Sequence, residues 1–523
     1  MPNHKKDGCL LILIALSFLY GTVFFVLKYL QYKSFFSFEW DDDASYIQLA
    51  YNTLRGAFLQ QTIFIAKCCY GRFTPFAAVM SVFYRLIPHP PVWFFVTSFT
   101  YGFSSIFLYL LGKKVLKDNY LAFIISAAFL FYGPLHYANL GTIETKSLSL
   151  FFLMGAFYFL TVKRGALYAV FLALAVSTKQ DIALISICFG LYALWNKYPK
   201  KWWLTTIALS IIYFLLANFL KNTVFYAQGV DSHPDRHIYA RYDLATAGAV
   251  LKFFFSKPLE FFGFMFFGSH IRATVLILYP LLFIPLLSLE FYLALPMFAE
   301  LYLMRGVQNY NSEYVAAIGA FLFIGLIFFL KNISSGVKRK FALALACVVL
   351  LVCICSNFYR NIIGDGPDET LIDKKNFVDK SFADVKNIFD KRIYIESRED
   401  KLAWKFISLI PDNASVTASG DLLTPLAARR YLYSFGLNEP RAWESEYGPN
   451  DYYPAYESDF ILIHTKNICN GLGGQYAFVD KPLAQEIIGN KLLTAHNYEI
   501  IKEKGDFILL KKKNIAFLGV IDF

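Results

Sequence analysis

Glu39-Trp40-Asp41-Asp42-Asp43 places three adjacent aspartates just beyond the first long apolar run, ahead of Ala44-Ser45-Tyr46-Ile47-Gln48. Carboxylates this close repel one another unless a cation is near. One reading is a solvated acidic cap at the N-terminus of a helix over 44–54, favoured by the helix dipole. The other is chemistry: a general base, or a carboxylate that ligates a metal, at the lip of a membrane cavity. Further ionisable groups recur at the edges of apolar runs. Arg72 precedes Phe73-Thr74-Pro75, Glu144 and Lys146 sit between two runs, and Lys179-Gln180-Asp181 forms the tip of a short apolar hairpin. Arg241-Tyr242-Asp243 and the pair Arg305 and Glu313 complete the set. Ionisable groups close to bilayer depth are costly, which favours a functional reading of Lys179 and Asp181. The alternative is a buried Lys–Asp pair that only orders the turn.

Other combinations carry less. His233-Pro234-Asp235-Arg236-His237 reads as a loop rather than a metal site. The eight cysteines contain no CxxC pair and no zinc spacing, and five of them (Cys9, Cys188, Cys347, Cys353 and Cys355) lie in apolar runs. The chain has no GxGxxG, Walker, HExxH or GxSxG signature, which argues against an ATP-driven pump and the common hydrolases.

The elements that must position these groups follow from composition. The chain has 523 residues, 57% hydrophobic and only 17% charged, with 55 Phe and 35 Tyr. A soluble domain is about a quarter charged, so disordered, disulfide-scaffold and ordinary cytosolic classes are excluded. Apolar runs at roughly 9–30, 91–112, 119–135, 147–162, 165–178, 182–196, 202–220, 272–289, 291–304, 314–330 and 341–357 approach spanning length. The expected fold class is an α-helical multi-pass membrane protein of about eleven spans with a small α/β domain at the C-terminus.

Charge gives the topology. Lys5/Lys6, Lys113/Lys114/Lys117, Lys163/Arg164, Lys197/Lys200/Lys201 and Lys331/Lys338/Arg339/Lys340 fall in loops on one side if 73–87 does not cross. These are read as cytoplasmic under the positive-inside rule, with 73–87 a helix along the opposite surface. Residues 1–357 then form the membrane domain, with juxtamembrane helices within 44–88. Residues 358–523, with 21 Lys+Arg against 24 Asp+Glu, form a soluble extracytoplasmic domain. There Ser415–Ala418 and Phe460–Ile463 read as strands, Leu422–Arg430 as a short helix, and Glu499–Lys504 with Phe507–Lys511 as a closing hairpin around Gly505. The stretch 361–400 reads as a polar helical linker. The basic membrane part fits anionic lipid or phosphate, or only the setting of topology; nucleic acid is not expected as a partner.

This order of elements resembles the GT-C class of membrane glycosyltransferases, which use polyprenyl-phosphate sugars. Closer still is a family of bacterial and archaeal predicted membrane proteins of that class. The family's opening motif is matched by Asp42, Ala44, Tyr46 and Gln48, followed by Asn52-Thr53 and Gly56. Its His-Phe-Ser-Pro corresponds to Arg72-Phe73-Thr74-Pro75, and its Thr-Lys-Glu-Asp to Thr178-Lys179-Gln180-Asp181. Tyr242-Asp243-Leu244, Gly248 and Pro258 resemble its long-loop pattern, and Pro411–Val416 with Arg429–Tyr433 its tail. The chain departs from the family at Arg72, and at Thr142-Ile143-Glu144-Thr145-Lys146, where the family has Asp-Phe-His-x-Glu.

The resemblance implies transfer of a sugar from a polyprenyl-phosphate donor to an acceptor hydroxyl (on an envelope glycan, lipid or protein) at the outer face of the plasma membrane, with inversion. Such chemistry needs a base on the acceptor and cations on the leaving phosphate. Asp42 is the expected base, with Asp41, Asp43 and Glu144 as further catalytic candidates. Lys179, Arg72, Lys146 and, less centrally, Arg305 are the expected phosphate contacts, and Asp181, Tyr46, Gln48 and Arg241 complete the substrate-binding set. No cofactor is expected to be required, although the adjacent aspartates could hold Mg²⁺ or Mn²⁺ through their oxygens. Two rival readings are a transporter or flippase of lipid-linked glycans and an inactive GT-C-like binder of them.

Overall fold

A computed structural model describes residues 7–36, 40–63, 73–220, 247–265, 268–303, 313–334, 338–358, 388–435, 458–465, 469–472, 475–478, 493 and 496–513. Arg72, Arg241 and Arg305 lie outside them, as do residues 361–387 of the expected linker 361–400; its described part holds a 3₁₀ turn over Lys391–Ile393 and the start of a helix at Arg398.

The chain begins with α1 (Gly8–Lys33), α2 (Trp40–Thr53), α3 (Phe76–Leu86) and α4 (Pro91–Leu116). Asp7 caps α1 by accepting from Leu10 N. Helices α1 and α4 pack closely because Gly102 has no side chain: a Cβ there would lie 2.4 Å from the carbonyl oxygen of Ser17. Helix α3, eleven residues long, is too short to cross a bilayer. Its Ala77, Met80 and Tyr84 are buried while Val79, Val82, Phe83 and Leu86 are exposed, the pattern of a helix lying along a surface.

Next come α5 (Asn119–Leu130), α6 (Gly133–Leu140), α7 (Ser149–Thr161), α8 (Gly165–Thr178), α9 (Ile182–Trp195) and α10 (Lys200–Leu220). The run expected as one span over 119–135 is bent by 44° between α5 and α6. Pro134 has no N–H to continue the helix. The carbonyls this frees are occupied: Leu130 O by His136 Nε2 at 2.7 Å and Phe131 O by Asn357 Nδ2 at 2.9 Å.

Helices α11 (Ala247–Ser256), α12 (Pro258–Met265), α13 (Gly268–Leu278), α14 (Leu295–Leu303), α15 (Glu313–Ile333) and α16 (Arg339–Ser356) follow. The expected spans 272–289 and 291–304 are not two continuous helices. Between α13 and α14 the chain forms three 3₁₀ segments, Tyr279–Leu281, Ile284–Leu287 and Leu289–Ala294. Pro280 and Pro285 remove two donors, and Leu282 and Phe283 take left-handed φ values of 54° and 58°. Among the described residues five helices are long and apolar enough to cross a membrane, six if the bent pair counts as one.

Ion pairs at loop ends gather the basic loops. Asp7 meets Lys113 at 2.6 Å and Asp118 meets Arg339 at 2.6 Å, tying the start of α1 to the α4–α5 and α15–α16 connections. The other end of α1, about 39 Å away at 1.5 Å per residue, meets the tail. There Trp404 Nε1 donates to Lys33 O at 2.9 Å and Ser34 Oγ to Ile393 O at 2.6 Å.

The tail contains α17 (Arg398–Ile407), α18 (Leu423–Leu426) and strands β1 (Val416–Ala418), β2 (Leu432–Ser434), β3 (Phe460–His464), β4 (Cys469–Leu472), β5 (Gln475–Phe478), β6 (Tyr498–Lys504) and β7 (Phe507–Lys512). Five strands form a mixed sheet, order β2-β1-β3-β7-β6, with β1 parallel to β2 and β3; β4 and β5 pair separately. The hairpin turns at Gly505, φ 64°. The short helix expected over 422–430 ends at Leu426; Pro425 lies within it, and Arg429 instead donates through Nε to Leu426 O at 2.7 Å.

The tail is not an isolated body. Phe460, Leu462, Phe507 and Leu509 on one sheet face join Ala44, Ile47, Ala77, Met80 and Trp93 in a single apolar core shared with α2, α3 and the start of α4. Ile461, Ile463, Ile508 and Leu510 cover the other face, as strand alternation requires. A second, larger core fills the helical bundle around α4, α5, α7, α9 and α15.

Candidate active site at the helix α2 face of the bundle

Two chain reversals bring charge together under α2. The first runs from Gly141 at the end of α6 through an extended Glu144 into a 3₁₀ turn over Thr145–Leu148 that leads into α7. The second is the α8–α9 tip, where Lys179 is extended (φ −163°, ψ 146°), so α8 stops at Thr178. Thr145 Oγ1 donates to Thr178 O at 2.6 Å, fastening one reversal to the other. Phe73 N donates to Gln180 Oε1 at 2.5 Å, bringing in the segment before α3.

Glu144, Lys146, Lys179 and Asp181 are all buried. They do not pair within each reversal but across the two. Lys179 Nζ lies 3.0 Å from Glu144 Oε1, and Lys146 Nζ lies 2.5 Å from Asp181 Oδ2. The expected Lys179–Asp181 turn pair is therefore replaced by a crossed arrangement that locks the two reversals. Tyr46, one turn into α2, donates its hydroxyl to the same Glu144 Oε1 at 2.8 Å. Glu300 of α14 joins from the far side, its Oε2 2.9 Å from Lys146 Nζ. Among the described residues the cluster brings three carboxylates together with two ammoniums. Each lysine is already neutralised by a carboxylate, which is the condition for burying it.

Asp43, one of the three aspartates of α2, lies beside this cluster. The three occupy the first turn of the helix rather than precede it, since α2 begins at Trp40. Asp43 is buried and its Oδ1 accepts from Ile143 N at 2.5 Å, one residue before Glu144. Asp42 is half-buried, and the side chain of Asp41 lies outside the described residues. Gln48 faces elsewhere. Its Nε2 donates to Thr62 Oγ1 at 3.1 Å and to the carbonyls of Arg429 and Arg430, while its Oε1 accepts from Thr62 N at 2.7 Å. Gln48 thus fastens α2 to the tail. The motif spacing places Tyr46 and Gln48 on different sides of the helix, and only Tyr46 reaches the charged cluster.

Sequence reasoning missed Glu300. A signal existed: it is the sole charged residue in the apolar run 291–304, and lone ionisable groups in such runs face the interior. A second ionic group was also missed. In the tail, His464 places Nδ1 2.6 Å from Asp421 Oδ2 and Nε2 3.1 Å from Glu399 Oε1, its ring stacked on Phe507 at 4.5 Å. Burial pushes the imidazole pKa down, but the Asp421 carboxylate and the hydrogen bonds to Asp421 and Glu399 outweigh it and hold the group at about 9. Among the described residues no three His, Cys, Asp or Glu side chains converge as metal ligands.

The family model of predicted membrane proteins DUF2079 matches residues 41–467. The chain belongs to this family. The structure of this DUF2079 member is similar to the crystal structure of ArnT from Cupriavidus metallidurans bound to undecaprenyl phosphate: TM-score 0.52, 11% identity, 99% of this chain and 100% of that one covered. It also matches, at TM-score 0.44 and 12% identity, the archaeal oligosaccharyltransferase AglB from Archaeoglobus fulgidus in complex with an inhibitory peptide and a dolichol-phosphate, covering 98% of this chain and 75% of that one. No curated protein matches the chain. The fold is that of the GT-C membrane glycosyltransferases, as the order of elements implied.

Proposed function

We propose that this protein transfers a sugar from a polyprenyl-phosphate donor to an acceptor hydroxyl at the outer membrane face, with the N-terminus cytoplasmic and the tail extracytoplasmic. The observation that carries the reading is the convergence, inside a GT-C fold, of Asp43 and Tyr46 of α2 with the buried Glu144–Lys179 pair. In this reading Asp42 takes the acceptor proton, and Asp41 or Asp43 can substitute for it. Lys179 contacts the leaving phosphate, with Arg72, Lys146 and Arg305 contributing positive charge. Glu144 orients Lys179 and Tyr46. The undecaprenyl phosphate bound by ArnT supports the donor class.

Mass spectrometry of lipid co-purifying with wild type, Lys179→Ala and Asp42→Asn tests this. The expected outcome is polyprenyl phosphate, free or sugar-linked, on wild type and Asp42→Asn but not on Lys179→Ala, and no transfer by Asp42→Asn. Full transfer by a folded Asp42→Asn protein would remove the base assignment. Absence of polyprenyl lipid from wild type, even after adding it back, would favour a transporter. One observation favours a non-transferring binder as second reading: both lysines are already paired to carboxylates, and 142–146 departs from the family pattern. Lipid retention by wild type without transfer to any offered acceptor would select it.

A further inference from the structure

The far end of the α8–α9 hairpin carries charge of a different kind from the cluster at its tip. Helix α8 leads from Gly165 to the Lys179 tip, and α9 returns from Ile182 to Trp195. The turn before α8 holds Lys163 and Arg164. The turn after α9 holds Lys197, and Lys200 and Lys201 open α10. All five are exposed. The two turns adjoin. Lys163 Nζ lies 5.9 Å from the Tyr198 ring centroid, and Tyr168 of α8 stacks on Trp202 of α10 at 6.1 Å. Gly165 permits this approach, since a Cβ there would lie 2.8 Å from Trp202 Cζ2.

These charges have no acid to meet. Between Glu144 and Leu220 the sequence contains one acidic residue, Asp181, which stands at the opposite end of the hairpin and pairs with Lys146. Among the described residues no carboxylate forms an ion pair with any of the five. The α4–α5 and α15–α16 loops differ, since Lys113 meets Asp7 and Arg339 meets Asp118. The positive-inside rule accounts for basic turns, but like charges on adjoining turns repel until an anion arrives. The hairpin is also short. Helices α8 and α9 have 14 residues each, about 21 Å of helix against a hydrocarbon core of about 30 Å. Local thinning of the bilayer and snorkelling of flanking side chains accommodate such a stretch, and both bring lipid headgroups to the basic turns. Beside the turns Leu167, Val170, Trp195 and Leu204 are exposed, an apolar surface for acyl chains. A free phosphate would leave that surface unused, and a zwitterionic headgroup would bring its own cation against five others.

We propose that the adjoining α7–α8 and α9–α10 turns form a binding site for an anionic phospholipid, its phosphate held by Lys163, Arg164 and Lys197 and its acyl chains lying along the exposed sides of α8, α9 and α10. The inference goes beyond the glycosyltransferase reading and does not depend on it. In the topology proposed above this lipid belongs to the inner leaflet. The length of α8 separates it from Lys179, so it is a different site from that of the polyprenyl-phosphate donor.

The test is native mass spectrometry of the full-length protein in detergent, titrated with dioleoyl phosphatidylglycerol or dioleoyl phosphatidylcholine. Lys163→Gln/Arg164→Gln/Lys197→Gln is compared with Lys114→Gln/Lys117→Gln/Lys340→Gln, which removes the same charge from other basic loops. Wild type is expected to retain phosphatidylglycerol in preference to phosphatidylcholine. The first triple variant should bind phosphatidylglycerol about a hundredfold more weakly, and the second as wild type does. Lys163→Arg/Lys197→Arg keeps the charge and should keep the binding. Equal retention of the two lipids, equal loss in both triple variants, or displacement of the lipid by inorganic phosphate would overturn the proposal; equal loss is what charge that only sets topology would give. Matching melting curves certify the variants as folded. If the first triple variant does not fold, the single substitutions Lys163→Gln and Lys197→Gln carry the comparison. Each should weaken phosphatidylglycerol binding about fivefold, and unchanged binding in both would overturn the proposal equally.

Discussion

The bundle and the tail each bury one cation between two carboxylates, and they do it differently. In the bundle Lys146, fully buried, sits between Asp181 and Glu300, which come from two separate elements. In the tail His464 sits between Asp421 and Glu399, the latter 39% exposed. A lysine offers three donors on a flexible stem, so one side chain can reach both carboxylates. An imidazole can donate to two carboxylates only when doubly protonated. The bundle network is therefore held by geometry and the tail network by a proton. The first fixes the reversals beneath α2; the second ties the end of the central strand β3 to α17.

The sharpest way to break this comparison is Lys146→Met. It removes the cation that lies between Asp181 and Glu300, and the expected loss is about 3–5 kcal/mol, read as a large fall in melting temperature in detergent. A change within the range of a surface substitution would mean the cluster is hydrated and not structural.

The next effect is the pH dependence of the tail. The His464 pKa is raised from 6.5 to about 9, so its contribution is complete below about pH 6.5 and is lost as pH rises through about 9. Melting temperature should fall over that window in wild type, and the fall should vanish in His464→Leu. The ion-paired bonds at stake are worth about 1.5–3 kcal/mol. An unchanged slope in His464→Leu would show that a group other than His464 sets the pH dependence.

Smaller again is Trp404→Phe at the α1–tail contact. It removes the hydrogen bond to Lys33 O and weakens the stacking of the Lys33 ammonium, 4.2 Å from the Trp404 ring centroid. A loss of about 0.5–1.5 kcal/mol is expected, measured by denaturant unfolding. A greater loss would mean that the tail docks chiefly through this corner and not through the shared core.

Much of this was legible in the chain. Apolar run lengths and the scarcity of charge specify a helical membrane bundle, because no other arrangement satisfies backbone groups in lipid. The runs Ser415–Ala418 and Phe460–Ile463 marked strands, and Gly505 marked the hairpin, because these signals are local. The interruptions were harder to read. Pro134, Pro280 and Pro285 stand inside runs whose hydropathy still suggests continuous spans, and averaging hides a missing donor. The site was legible as residue types and not as pairs. Lys179 and Asp181 are two residues apart, but the extended conformation at Lys179 turns them to different partners.

The sequence by itself determined the class of molecule, the ionisable groups available for chemistry and the acidic helix beside the first span, since burial, periodicity and charge act along the chain. Only the tertiary structure decided that Glu144 pairs with Lys179, that Glu300 leaves an apolar helix to meet Lys146, and that the tail shares its core with α2 and α3. Those choices depend on which distant groups fold within about 3 Å of one another. An ion pair or hydrogen bond is decided by that distance and by the loss of water around it, and neither quantity is written in the spacing of residues along the chain.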